Sequence, residues 1–253
     1  MRWSACIEWL FAAEAPAFAD RIRAAQAAGL DAVEFWRTSN KDLDAVEAAL
    51  RETGMALAGI LCEPICNLTD PATHAEFLGG VQASAAAAQR LGAPVIIAQS
   101  GNLLADMPRQ AQHEAIVAVL KAAASHLDGT GVTLALEPLN DRVDHKGYYL
   151  TSTTEGLDIV DAVASPAIRL LYDIYHAAVT GEPIEVLAGR LDRVVHVHLA
   201  DLPGRNEPGS GTLDYARRLG WLRRQGYGGL IGLEYRPTGS TFNSLAFRAS
   251  VRD

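Results

Sequence analysis

Apolar and polar positions along this chain fall into two alternating kinds of segment. Short, mostly apolar runs read as strands, and longer stretches rich in Ala, Leu, Glu and Arg read as helices. Strands are expected at Trp3–Trp9, Ala32–Trp36, Ala56–Leu61, Val95–Gln99, Val132–Glu137, Ile168–Asp173, Val194–Ala200 and Leu230–Tyr235. Helices are expected near Ala17–Ala28, Leu43–Thr53, Ala72–Leu91, Arg109–Leu127, Thr154–Ala164, Pro183–Ala188, Tyr215–Gln225 and Ser240–Val251. Gly29, Gly54, Gly92 and Gly226 each close a helix shortly before a new strand. Eight strand–helix units imply a parallel sheet. In about 250 residues they fit a single α/β domain over residues 1–253, a closed (β/α)₈ TIM barrel. An open doubly wound sheet would carry a glycine-rich turn after its first strand, and Trp9-Leu-Phe-Ala-Ala-Glu is no such turn.

The last four strands end in side chains with chemistry. Glu137 closes Leu134-Ala-Leu-Glu, Asp173 closes Leu170-Leu-Tyr-Asp, His198 lies in Val195-His-Val-His-Leu, and Glu234 follows Ile231-Gly-Leu. In a parallel barrel all C-terminal strand ends lie on one rim. Neighbouring strands are about 4.8 Å apart, so these side chains can reach one point. Side chains alternate along a strand. If Glu137, Glu234 and His198 point inward, so do Ala135, Gly232 and His196, while Val195, Val197 and Leu199 face the helices. Three crowded carboxylates repel one another, and a divalent cation removes that penalty. The set therefore suits a metal-dependent enzyme.

Composition narrows the field. With 253 residues, 49% of them hydrophobic, the chain can build one substantial core. A net charge of −8 and the lack of a basic block give no support to a nucleic-acid partner. No run of about 18 uncharged apolar residues exists to span a membrane. Glu8 and Glu14 interrupt the apolar N-terminal stretch, which reads as mature protein rather than a signal peptide. Three cysteines, Cys6, Cys62 and Cys66, suit a reducing, cytoplasmic setting. Cys62-x-x-x-Cys66 has the spacing of half a zinc site, but no second pair follows, and filling of a strand end and its loop is the plainer role.

A cation flanked by two glutamates suits proton transfer beside a carbonyl. The cation would polarise a carbonyl and its neighbouring hydroxyl, so that the adjacent C–H bond is acidified and an enediolate forms. Glu137 and Glu234 are the candidate acid and base. Proton return to the neighbouring carbon gives isomerisation; return to the opposite face gives epimerisation. For substrate contacts the loops offer His176, Arg205, Glu207 and Lys146. Arg205 could clamp a carboxylate or hydroxyl, or could pair with Glu207 to hold its own loop.

Four stretches carry a resemblance: Leu136-Glu-Pro-Leu-Asn, Tyr172-Asp-Ile-Tyr-His, the run His196 to Gly211, and Gly226-Tyr-Gly-Gly-Leu-Ile-Gly-Leu-Glu-Tyr-Arg-Pro. With Ala27-Ala-Gly-Leu-Asp-Ala-Val-Glu-Phe, they resemble the hydroxypyruvate isomerase family of xylose-isomerase-like barrels. The resemblance implies a small-molecule 2-oxo acid or sugar substrate and a divalent metal, commonly Mg²⁺ or Mn²⁺. It implies Glu137, Asp173, His198 and Glu234 as ligands, Glu137 and Glu234 as the acid/base pair, and His176 with Arg205 on the substrate. Family members often form homo-oligomers. His198 stands where many hydroxypyruvate isomerases carry Gln and where ketose 3-epimerases carry His. The first half departs further: Leu61-Cys-Glu-Pro-Ile-Cys replaces a His-Asn-Leu-Pro-like stretch. Glu8 and Glu63 are expected to make the pocket acidic, which suits a neutral polyol better than hydroxypyruvate.

The leading expectation is an isomerase interconverting hydroxypyruvate and tartronate semialdehyde, or acting on a close 2-oxo or sugar relative. A ketose 3-epimerase is the alternative that His198 favours. An endonuclease IV-like nuclease would need more His ligands and a basic face. A non-catalytic sugar-binding barrel would leave the paired glutamates unexplained.

Overall fold

The structure, a computed structural model, describes residues 1–251. Its strands are β1 (Arg2–Cys6), β2 (Ala32–Phe35), β3 (Ala56–Leu61), β4 (Val95–Gln99), β5 (Thr133–Glu137), β6 (Ile168–Asp173), β7 (Val194–Leu199) and β8 (Leu230–Leu233). They pair in chain order, all parallel, and β8 returns to β1 to close the barrel. Between them run α1 (Phe18–Ala27), α2 (Leu43–Thr53), α3 (His74–Leu91), α4 (Arg109–Leu127), α5 (Thr153–Val163), α6 (Ile174–Thr180) and α7 (Tyr215–Arg224), with α8 (Thr241–Ser244) after β8. This is a (β/α)₈ TIM barrel, as the pattern predicts.

Local chemistry sets the boundaries. Asp42 caps α2 by accepting from the Ala45 N–H, and Gly54 ends it in the left-handed conformation at φ +68°. The strands are buried on both faces. On β5, Leu134 and Leu136 join the large shell between strands and helices. Ala135 instead joins Leu61, Val95, Ile97 and Leu171 inside the barrel. That small apolar plug fills the interior below the rim, so the polar strand ends above it form the floor of a cavity.

Three expectations need correction. The sixth helix is not Pro183–Ala188 but α6, which starts directly at the end of β6; residues Ile184–Leu187 form only a 3₁₀ turn. The closing helix breaks into α8 and a 3₁₀ segment, Leu245–Ser250. Val195 packs against the interior cluster rather than the helices, because the β6–β7 register shifts between Leu170 and Leu171. Val197 and Leu199 do join the outer shell. Among the described residues, no helix is long and apolar enough to cross a membrane.

Candidate active site

The barrel ends deliver four side chains to one point. Glu137 and Asp173 are the last residues of β5 and β6, His198 is next to last in β7, and Glu234 directly follows β8. All four are buried. His198 Nδ1 lies 3.4 Å from Glu137 Oε1, 3.5 Å from Glu234 Oε2 and 4.0 Å from Asp173 Oδ2. One ligand atom from each falls within 4.8 Å of every other. Asp173 reaches this arrangement by capping α6: its Oδ1 accepts the Tyr175 and His176 N–H groups at 2.7 and 3.0 Å. That leaves Oδ2 for the cluster. Glu234 Oε1 accepts from Trp36 Nε1 at 2.8 Å, and its Oε2 contacts the Arg205 guanidinium.

This donor set fits a divalent cation. Glu137 Oε1 and His198 Nδ1 are buried without a hydrogen-bond partner among the described residues, a costly condition that a cation would relieve. Burial, with Glu234 and Asp173 adding repulsion against the pull of His198, raises the Glu137 carboxyl to about 7. Burial opposes charge on His198, but Glu34 and Glu234 outweigh it and push the imidazole well above its ordinary value.

Beneath these ligands lies an acid that the sequence reading did not single out. Glu34, on β2, places Oε2 2.6 Å from His196 Nε2 and Oε1 3.4 Å from His198 Nε2. Burial raises its pKa, yet the two histidines prevail and hold it far below the usual carboxylate range. Its sequence signals were a charge in an otherwise apolar strand and a place in the stretch from Ala27 to Phe35 that carries part of the resemblance. Inward-facing Gly232 makes the room: a Cβ there would sit 2.4 Å from Glu34 Oε1.

The loop after β7 presents Arg205. Asp201, fully buried, accepts four backbone N–H groups, from Leu202, Gly209, Gly211 and Leu213, at 2.7–3.1 Å. The loop thus folds around one carboxylate. Arg205 takes the left-handed conformation, φ +54°. Its guanidinium lies 5.2 Å from both the Trp9 and Tyr175 ring centres and 3.8 Å from Asp173. It therefore pairs with the floor and not with Glu207, which instead accepts from Thr238 in the next loop.

His176 is not a loop residue. It lies in α6, buried, with Nδ1 accepting the Asn140 N–H at 3.0 Å. Burial and the Arg205 charge lower its pKa well below the ordinary value. The neutral ring therefore carries its proton on Nε2, which faces Asp173 Oδ2 at 3.7 Å.

Above this floor opens a cavity of about 590 Å³, lined by Trp9, Trp36, Leu61 and Ile97 and by the guanidinium-bearing residues Arg37, Arg205 and Arg236. Lys146 is not part of it; its ammonium bonds to the Arg142 carbonyl on the exposed face of its loop. Glu207 also lies outside. Glu8 and Glu63 do not supply the acidity expected of the mouth. Glu8 pairs with Lys41 at 2.8 Å, and Glu63 accepts from Thr38 and Ser39 at 2.7–3.1 Å. Both carboxylates are spent on loop structure. Cys6, Cys62 and Cys66 are free and buried, and neither potential cation cluster among the described residues contains one.

Over residues 22–250 the sequence matches the xylose isomerase-like TIM barrel family. It is 31% identical over 183 residues to the hydroxypyruvate isomerase of Escherichia coli K12, covering 72% of this chain and 70% of that relative. It is 30% identical over 241 residues to the 2-oxo-tetronate isomerase of Cupriavidus necator, covering 91% and 92%. A crystal structure from Brucella melitensis, described as an AP endonuclease of family 2, superposes with a TM-score of 0.90 at 28% identity, covering 100% of this chain and 99% of that one. The chain is thus an isomerase of the xylose isomerase-like TIM barrel class. Within that class it belongs to the hydroxypyruvate isomerase family.

Proposed function

We propose that this isomerase depends on a divalent metal, Mg²⁺ or Mn²⁺, and interconverts hydroxypyruvate and tartronate semialdehyde or acts on a close 2-oxo acid. The observation that carries the proposal is the convergence of Glu137, Asp173, His198 and Glu234, one ligand atom each within 4.8 Å of the others, with Glu137, His198 and Glu234 lining the cavity of about 590 Å³. These four residues would hold the cation. When bound, it supplies Lewis acidity at a substrate carbonyl and the adjacent hydroxyl.

The chain's own groups do the rest. Glu137 and Glu234 approach His198 Nδ1 at 3.4 and 3.5 Å, and between them they take the proton from one carbon and return it to the next. Burial raises the carboxyl of metal-free Glu137 to about 7; a cation held by these ligands would displace that proton and leave both glutamates as carboxylates able to accept one. Trp36 and Arg205 fix the Glu234 carboxylate in place. His176 lies behind Asp173 and outside the cavity lining, its Nε2 3.7 Å from Asp173 Oδ2, so it acts on the ligand carboxylate rather than on the substrate. The apolar walls limit water around the proton in transit. Arg37 and Arg236 form no ion pair among the described residues, so with Arg205 they favour an anionic substrate end. The three free cysteines accord with a cytoplasmic setting.

The test is an isomerisation assay on metal-loaded protein with hydroxypyruvate, beside D-psicose and D-tagatose. Glu137→Gln, Glu234→Gln and chelator-treated protein serve as controls. Turnover of hydroxypyruvate that needs both glutamates and the metal supports the proposal. The second reading, a ketose 3-epimerase, rests on His198 as the imidazole ligand; turnover of the ketoses alone would favour it.

A further inference from the structure

His198 has two ring nitrogens, and each faces a different set of acids. Nδ1 looks up at Glu137, Asp173 and Glu234, 3.4–4.0 Å away. Nε2 looks down at Glu34 Oε1, 3.4 Å away, and both nitrogens are otherwise unpartnered. A neutral imidazole that binds a cation through one nitrogen must carry its proton on the other. A carboxylate at that second position selects the tautomer and fixes the ring plane. Glu34 has the position to do this, and it is itself anchored. Its Oε2 meets His196 Nε2 at 2.6 Å and the Ser4 hydroxyl at 3.4 Å.

The space around Glu34 is cut to fit. A Cβ on residue 232 would lie 2.4 Å from Glu34 Oε1, 2.7 Å from His198 Cδ2 and 2.8 Å from His196 Nε2. Only glycine lets β2 and β7 place acid and imidazoles in one layer. Glu34, His196 and His198 could themselves bracket a cation. That role would require His198 to bind metal through both nitrogens at once, with both protons lost. The His196–Glu34 pair already lies at hydrogen-bond distance without any cation.

We infer that Glu34 is a positioning residue, fixing His198 in the tautomer that offers Nδ1 to the cation. This rests on the metal-dependent reading above. The experiment is Mn²⁺ titration of the wild type, Glu34→Gln and Glu34→Asp by calorimetry, with thermal unfolding of each metal-free protein and kcat and KM at saturating Mn²⁺. Glu34→Gln is expected to weaken Mn²⁺ binding about 10–100-fold. Glu34→Asp should recover part of the loss, and saturating Mn²⁺ should restore most of kcat. Unchanged Mn²⁺ affinity in folded Glu34→Gln overturns the inference. So does a second Mn²⁺ per wild-type chain that this variant alone loses, since Glu34 would then be a ligand. Failure of the wild type to bind Mn²⁺ overturns the metal-dependent reading itself. Should Glu34→Gln not fold, NMR of the wild type loaded with ¹¹³Cd²⁺ decides: coupling of the metal to Nδ1 of His198, with a retained Nε2 proton, is expected, and coordination through Nε2 would refute the inference.

Discussion

The floor and the mouth of the cavity are built on opposite plans. The floor is acidic and made of strand ends: Glu137, Asp173 and Glu234 surround His198, each on backbone fixed by the barrel's own hydrogen bonds. The mouth is made of loops and carries arginines at positions 37, 205 and 236, while its nearby acids Glu8 and Glu63 are tied to Lys41, Thr38 and Ser39. Arg205 and Trp36 touch both regions, each bonded to Glu234. Rigid strands can hold a cation and a reacting carbon within tenths of an ångström, which proton transfer demands. Loops hold charge at longer range, which suits choosing among substrates. On the proposed function, the reaction belongs to the floor and the choice of substrate to the mouth.

The largest effects test that division directly. Glu137→Gln and Glu234→Gln each remove one partner in proton transfer, and kcat on hydroxypyruvate should fall about 10²–10⁴-fold, as steady-state kinetics at saturating metal would show. Replacing both Arg37 and Arg236 by Ala removes charge-assisted contacts worth about 1.5–3 kcal/mol. KM for hydroxypyruvate should rise about 10–100-fold, with kcat little changed and any activity on neutral ketoses untouched. If the arginine variant lost kcat as the glutamate variants do, the mouth would belong to the reacting centre and the division would fail.

Proton competition at the floor comes next in size. Glu137 in the metal-free protein titrates near 7, because burial and its acidic neighbours disfavour its charge; His198 is pushed above its ordinary value by Glu34 and Glu234. Cation binding needs Glu137 ionised and His198 neutral, so both protons must leave. The sign follows: a raised pKa means tighter proton binding, and apparent Mn²⁺ affinity falls as pH drops through about 7. Each displaced proton contributes up to about tenfold per pH unit. Calorimetry in buffers of different ionisation enthalpy at pH 7 should register net proton release on binding. Release of none would mean that the floor is already deprotonated and that its repulsion is relieved some other way.

The floor was legible in the sequence for the same reason that it is rigid. Period-two alternation on β5, β7 and β8 fixes which residues share a face with Glu137, His198 and Glu234, and barrel topology puts their ends on one rim. Glu34 obeys the same alternation but lies on β2, across the barrel from its partners in sequence. Only closure by β8–β1 and β1–β2 pairing brings it under His198. The α6 helix escaped notice because Ile174–Thr180 is seven residues long, mostly apolar, and follows β6 with no turn; Asp173 is at once strand end, helix cap and cluster member. The mouth was least legible. The charge of a loop carboxylate says nothing of what it bonds to: Glu8 and Glu63 suggested an acidic pocket, and each proved to be holding a neighbouring loop instead.

The smallest expected effect marks where the mouth ends. Lys146 carries a charge of the right sign for an anionic substrate and lies in the same β5–α5 loop as the cavity residues Asp144 and His145. Its ammonium, however, is exposed, bonded to the Arg142 carbonyl and outside the cavity lining. At physiological ionic strength, charges farther apart than about 8 Å are largely screened in water. Lys146→Ala should therefore change kcat/KM for hydroxypyruvate by less than about twofold at 0.15 M salt. Any larger effect should appear only at low ionic strength, as long-range steering does. A tenfold loss that survives physiological salt would mean that the loop swings Lys146 over the cavity when substrate binds. Recognition of the anion would then extend beyond Arg37, Arg205 and Arg236, and a residue that points away in this structure would join the mouth.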